Sequence, residues 1–536
     1  MAEKSVTGDA AAAGPGLGRE RIEHVIVLMM ENRSFDHLLG YLRHDDPSYP
    51  YLGDAPPRCP VDPARPDGDL VPTSDDATPV LSVDPDHSNE SVLLQIYGQQ
   101  GVPDGATPRM NGFIRSYSQK ISHGSLRRKD PLLDAVNAVI RFLTDLWNRL
   151  RRRPKPVRPR PEDIMRCFAE TGVPVLATLA REYAVLVNWH ASVPGETWPN
   201  RNFAHAATSD GTANIDLRFY DNETIFEQLG EAGRRWHVYH DGLAQVLAFP
   251  RLWLGGTDGF HDSAELVEHI RTDRLPEYSF VEPDHGYGRG DGDNQHPGNN
   301  TVIGDNFTAG EALIGRIHNA LVETPDVFAK TLLLITYDQH GGLFDHVPPR
   351  PVPSPDGKVA PNGFDFRLSG LRVPTVAVSP LIPRGTVEHA FFEHASIPRT
   401  LRGQFAPGFG PLTERDAQAA DVLEVLPLLA APRSDCHAVE IPGSVRAAAG
   451  TTRAAAGPAA GRALNDFEAS LLELAGAVWT WIRRETVARR EAVAAIGRPV
   501  PFVPDPTTSA AARARVVVPG SDADRVVVEV VTHLDA

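Results

Sequence analysis

Four short apolar runs punctuate the chain: "HVIVLMM" at 24–30, "YAVLVNW" at 183–189, "TLLLITY" at 331–337 and "VPTVAVSP" at 373–380. Each is rich in Val, Ile or Leu and lacks polar alternation, the pattern of a strand buried on both faces. Between them, "PVLATLARE" (174–182) and "TIFEQLGEAG" (224–233) carry apolar residues at helical spacing. Strands of this kind separated by amphipathic helices predict an α/β fold, with a mostly parallel central sheet sandwiched between helices. Gly-, Pro- and Asp-rich stretches at 43–90 and 283–305 interrupt the pattern. Loops of that length serve a site or lack fixed structure.

This texture predicts one domain over 21–430, preceded by a small, polar tail at 1–20 read as disordered. Residues 431–463 end in the low-complexity run "RAAAGTTRAAAGPAAGRA" and read as a linker. In the extension 464–536, residues 464–496 predict one long helix, and "ARVVVPGSDADRVVVEVVTHL" predicts a hairpin turning around Gly520-Ser521-Asp522. An insert at 131–160 joins the amphipathic "PLLDAVNAVIRFLTDLWNRL" to the basic "RRRPKPVRPRP". It has two readings: a helix packed on the domain, or a peripheral contact with an anionic membrane.

Composition narrows the partners. The net charge of −16 argues against a nucleic-acid binder. Three scattered cysteines give neither a disulfide framework nor a zinc-type spacing. No apolar run approaches the length of a spanning helix, and the N-terminus lacks the pattern of a secretory signal, so a cytoplasmic location is expected.

The chemistry gathers where the strands end. The first run stops on Glu31-Asn32, and the third on Asp338-Gln339-His340 before a Gly341-Gly342 turn. In open α/β sheets ligands bind beyond the C-terminal strand edge. Glu31, Asn32 and Asp338 on one such edge would offer hard oxygen ligands to a divalent cation; the alternative is two ordinary strand exits. Ser34 suits a helix cap and Asp36 the first turn that follows. Thr197, in "PGETWPNRNFAHAA", lies at a predicted helix N-terminus, either as a cap or as a nucleophile where phosphoryl anions are favoured. His87, His240, His285 and His296 sit in or beside polar loops and suit acid–base or phosphate-binding roles.

Taken in order, "IEHVIVLMMENRSFDHLLGYL", "NWHASVPGETWPNRNFAHAATSDG", "YSFVEPDHG", "DNQHP", "TYDQHGGLFDHV" and "GLRVPTVAVSPLIPRGTV" resemble the motifs of a bacterial phosphoesterase family. That family includes phospholipases C and a related acid phosphatase, and the resemblance covers roughly 21–405. It implies an alkaline phosphatase-like core and one divalent metal ion held at Glu31, Asn32, Asp338 and the following position, here Gln339. It also implies Thr197 as nucleophile and His87, His296 and His240 near the phosphoryl group. The role of His340 stays open. The implied activity is phosphodiester hydrolysis on a phosphoester substrate such as a phospholipid. The alternatives are a phosphomonoesterase or a weakened headgroup-binding protein. The family motif usually carries an acid where Gln339 stands, which removes one ligand charge.

Overall fold

The computed structural model describes residues 13–101, 107–123, 158–216, 218–241, 244–253, 257–285, 292–298 and 306–442, with the backbone of 515–518 and 526–529. The insert helix expected at 131–150 and the long helix expected at 464–496 lie outside the described residues, as does the turn at 519–525. Arg515–Val518 and Val526–Glu529 pair antiparallel, as expected of the hairpin read in the tail.

The core is an eight-stranded sheet. In chain order its strands are β1 (His24–Met30), β2 (Ala184–Leu186), β3 (Trp236–His240), β4 (Phe260–Asp262), β5 (Tyr278–Glu282), β6 (Thr331–Tyr337), β7 (Val376–Val378) and β8 (Thr386–Glu388). The spatial order is β8-β2-β7-β6-β1-β5-β3-β4. β1 lies between β6 and β5 and runs parallel to both. All seven residues of β1 and of β6 are buried, which explains why their sequences are apolar on both faces. The sheet is mixed, in keeping with a mostly parallel expectation: β7, from the run at 373–380, is antiparallel to both neighbours. The run at 183–189 breaks after Leu186, and Trp189–His190 pairs separately with Phe392–Glu393.

Helices cover both faces. Asn306–Glu323 packs against both Pro174–Glu182 and Ser263–Arg271, and Thr197–Ala206, Ile225–Glu231 and Ser396–Phe405 form a second group. Phe226 of the second group stacks near Tyr278 and Trp236, whereas His269 of the first lies against Tyr239 and His237. Alternate residues of a strand face opposite sides, so the two groups flank opposite faces. The first group is tied down by Glu311, whose carboxylate accepts from the N–H groups of Val175 (2.7 Å) and Leu176 (3.3 Å) at a helix N-terminus.

The tail expectation for 1–20 fails from residue 13 onward. Ala13–Pro15 pairs antiparallel with Pro427–Leu429, and Arg19 bridges Asp421 (3.0 Å) and Glu424 (3.3 Å). Small residues hide this strand from a hydrophobicity reading, because its stability comes from pairing with a partner over 400 residues away. Among the described residues no helix is long and apolar enough to cross a membrane.

Candidate active site

The parallel strands β6, β1, β5 and β3 all end on one edge of the sheet, and each delivers a polar side chain there. Asp338 follows β6, Glu31 follows β1, Glu282 closes β5 and His240 closes β3. The β1–β6 register, with Met30 opposite Tyr337, places Glu31 and Asp338 side by side. The chain turns sharply at Asn32, whose φ of 58° lies in the left-handed region that Asn tolerates. The Asn32 N–H donates to Asp338 Oδ1 at 2.9 Å, locking the two strand ends together. Gly341 permits the matching turn: its φ is 67°, and a Cβ there would meet the Asn32 carbonyl oxygen at 2.1 Å.

Thr197 is the first residue of the second-layer helix and is fully buried. Its hydroxyl donates to Asn32 Oδ1 at 3.3 Å. The N-cap Glu196 does not cap the helix through its side chain; its carboxylate accepts from the Ile215 N–H instead. Pro199 has no N–H, so Thr197 and Trp198 carry the amide donors at the mouth of this helix.

Asn32 belongs to a relay whose direction is fixed at both ends by backbone groups. The Gly341 N–H donates to Gln339 Oε1 (2.6 Å), and Gln339 Nε2 donates to Asn32 Oδ1 (2.7 Å). Asn32 Nδ2 then faces His87 Nε2 (3.4 Å), while His87 Nδ1 meets the Pro85 carbonyl (2.9 Å). A carbonyl accepts only, so His87 carries its proton on Nδ1 and turns the Nε2 lone pair toward Asn32.

The charges are tightly compensated. Arg201 lies one helical turn beyond Thr197; it donates to the Met29 carbonyl and stands 3.7 Å from Asp338 Oδ2 and 3.9 Å from Glu282 Oε1. His285 stands 3.3 Å from Glu31 and 3.2 Å from Glu282. Burial works against the His285 cation, but Glu31 and Glu282 outweigh it and lift its pKa to about 9. Burial also works against the Glu282 carboxylate, but Arg201 and His285 prevail and hold it down to about 2. Asp338 goes the other way: burial pushes it up to about 6, with Arg201 opposing and Glu31 adding to the rise.

These residues fit a divalent cation at the acid pair. Neither Glu31 oxygen nor Asp338 Oδ2 receives an aligned hydrogen bond, although all are buried. Buried, under-satisfied carboxylates side by side are the donor set that a hard cation satisfies. The Gln339 amide oxygen accepts from the Gly341 N–H, and its NH₂ group faces Asn32.

The other expected residues divide between site and scaffold. His87 and His296 come together, with ring centroids 6.1 Å apart. His296 Nδ1 accepts from the Gly298 N–H at 3.0 Å, so its proton sits on Nε2. His240 shares the edge but sits on β3, two strands from β1 and therefore on the order of 10 Å from it in the sheet. His340 is buried with Nε2 at 2.7 Å from Gln95 Oε1, and burial depresses its pKa to about 3, a packing role. Ser34 caps its helix by accepting from the His37 N–H. Asp36 and Asp345 are both paired to Arg372.

Three participants were missed as site residues. Glu282 closes a buried strand on an acid, the same signal that singled out Glu31 and Asp338. Arg201 could have been found at the i, i+4 position from Thr197. His394, whose Nε2–H donates to the Asp338 carbonyl at 2.6 Å while Nδ1 accepts from Trp189, gives no signal in its local sequence.

Comparison with known proteins identifies the family. The chain is 32% identical over 451 residues to non-specific phospholipase C6 of Arabidopsis thaliana, covering 80% of this chain and 77% of that protein. It is 28% identical over 480 residues to phospholipase C B of Mycobacterium tuberculosis, covering 79% and 81%. A solved structure, the lipoteichoic acid synthase LtaP of Listeria monocytogenes, matches at a TM-score of 0.33 and 12% identity, over 48% of this chain and 70% of that one. The family model described as "Phosphoesterase family" matches residues 22–406, which hold every strand of the central sheet and every side chain of this edge; the chain belongs to the phosphoesterase family.

Proposed function

We propose that this phosphoesterase hydrolyses phosphodiesters of the phospholipase C type, using Thr197 as nucleophile through a phospho-threonine. The carrying observation is the buried Thr197 hydroxyl at a helix N-terminus, hydrogen-bonded to Asn32 beside two under-satisfied carboxylates. The phospholipase C relatives support the diester substrate, and a lipid headgroup is the natural form of it.

Asn32 Oδ1 holds the Thr197 proton and so directs an oxygen lone pair away from Asn32, toward phosphorus. The amide N–H groups of Thr197 and Trp198 and the helix dipole stabilise the equatorial oxygens. A divalent ion at Glu31 and Asp338, when bound, supplies the charge that lowers the hydroxyl's pKa and neutralises the phosphoryl group. The tautomers divide the histidine roles. His87 keeps its Nδ1–H on a carbonyl in either charge state, so its Nε2, which faces Asn32, is the nitrogen that gains a proton and passes it to the leaving alcohol. His296 donates its Nε2–H to a phosphoryl oxygen. His240, farther along the edge, contacts the leaving group instead of phosphorus.

Nitrophenyl phosphocholine and nitrophenyl phosphate, each with chelator and with metal added back, test the substrate class. Faster metal-dependent cleavage of the diester is expected, and preference for the monoester overturns that part. Thr197→Ala tests the nucleophile. It removes one long hydrogen bond and a methyl group, about 1–2 kcal/mol of stability, so the fold survives while turnover falls at least ~10³-fold. Thr197→Ser restores the hydroxyl and much of the rate. Acid quench during turnover should trap one phosphoryl group on Thr197; near-normal turnover in the Ala variant sinks the assignment.

A further inference from the structure

A second group of metal-ligating side chains lies on the other face of the sheet. His261 on β4 is followed by Glu265 and His269 on Ser263–Arg271, so the side chains fall at i, i+4 and i+8. His261 Nδ1 and His269 Nε2 stand 3.2 and 4.0 Å from the same oxygen, Glu265 Oε2. One ligand atom from each residue lies within 4.8 Å of the other two. Ligands about 2.1 Å from a tetrahedral zinc stand roughly 3.4 Å apart, so this spacing closes on an ion with sub-ångström adjustment.

Surrounding contacts orient the three groups. Glu265 Oε1 accepts from the Asp262 N–H as part of a helix cap, which fixes the carboxylate and leaves Oε2 toward the two histidines. The buried Tyr239 hydroxyl lies 2.8 Å from His269 Nδ1 and 3.0 Å from His237 Nδ1. One hydroxyl accepting from His269 and donating to His237 leaves the His269 Nε2 lone pair facing Glu265. This is the outer-shell hydrogen bond that metal-bound histidines generally make. The His237 and His261 ring centroids lie 4.1 Å apart. His261 Nε2 is buried with no hydrogen-bond partner. A simple His–Glu pair explains neither the third imidazole nor the Tyr239 bridge. The Glu265 side chain is 43% exposed and that of His261 21%, so an ion can reach the site and keep a solvent position.

We propose that His261, Glu265 and His269 form a second metal site for a borderline divalent ion of the zinc type, separate from the acid pair at the sheet edge. His237 and Tyr239 alternate with His240 along β3 and face the opposite helix layer from Arg201 and Glu282, so the two sites do not share ligands.

Zinc chloride titrated into the chelator-stripped full chain, followed by calorimetry, tests the site. The Glu31→Gln variant should still take up one equivalent. His261→Ala and Glu265→Gln, both at partly exposed side chains, should each lose one equivalent relative to the unsubstituted chain while keeping phosphoesterase turnover and the same circular dichroism. Tyr239→Phe should keep the stoichiometry but bind about 10–100-fold more weakly. Cobalt(II) should give four- or five-coordinate visible bands that survive Glu31→Gln and vanish in His261→Ala. Unchanged zinc stoichiometry and affinity in both His261→Ala and Glu265→Gln, or no zinc bound by Glu31→Gln, overturns the proposal.

Discussion

Replacing Gln339 by Glu puts a carboxylate directly after Asp338, and the structure gives two effects of opposite sign. The new carboxylate keeps the Gly341 N–H as a donor. Its other oxygen, however, faces Asn32 Oδ1 across the 2.7 Å now spanned by the Gln339 amide N–H. One hydrogen bond is lost, about 1 kcal/mol. A third acid also joins Glu31 and Asp338; at a separation of roughly 5 Å and an effective dielectric near 20, each like-charge pair costs about 3 kcal/mol. The stripped variant therefore loses up to about 7 kcal/mol of stability, or takes up a proton instead. Asn32 can mend the contact only by reversing its amide, which removes the oxygen that Thr197 bonds. With a divalent ion present the sign reverses: the added charge attracts the ion, and affinity should rise by at least about tenfold, or 1.4 kcal/mol. Urea unfolding in chelator measures the first effect, and metal titration by calorimetry the second. Equal stability in chelator together with equal affinity refutes the placement of Gln339 beside a cation site.

Three further outcomes follow from single contacts. Gly341→Ala drives a Cβ into the Asn32 carbonyl, so turnover should collapse while the far-UV circular dichroism is retained; normal kinetics would contradict the turn geometry. Arg372→Met leaves Asp36 and Asp345 buried without their cation and should cost about 3–5 kcal/mol in chemical unfolding. Adding Asp36→Asn and Asp345→Asn should recover much of that loss. Burial lifts Glu311 to about 7 from an ordinary 4.5, despite its two backbone donors. A raised acid binds its proton more tightly in the folded state, so its stabilisation is complete below pH 4.5 and fades as the pH rises through about 7. Glu311→Gln should therefore gain up to about 3 kcal/mol over the unsubstituted chain at pH 8 relative to pH 4, read from paired denaturation curves.

What the sequence disclosed depended on how far each interaction reaches. β1 and β6 match the apolar runs residue for residue, because burial on both faces leaves a composition that needs no partner to be recognised. β3, β4 and β5 were not picked out by that reading: β3 carries His237 and His240, and β4 holds two polar residues in three. Their strand character comes from pairing outward from β1, β5 on β1, β3 on β5 and β4 on β3, not from their own pattern. The same distinction divides the site. Glu31, Asn32 and Asp338 stand out because an acid or amide after a buried strand is a local contrast. Arg201 and His285 compensate those acids, but nothing local tells which buried cation meets which buried anion; that is settled only when the helix after Thr197 and the loop after β5 fold against the edge. Gln339 shows how the two kinds of information combine. By sequence it is a lost ligand charge. In the folded chain its amide joins a backbone N–H to Asn32, and through Asn32 to both Thr197 and His87. Gln339 thus adds no charge beside the acid pair and instead completes a hydrogen-bonded path from Gly341 to Thr197 and His87. A glutamate can hold the ion more tightly, but its second oxygen cannot donate to Asn32 unless it carries a proton.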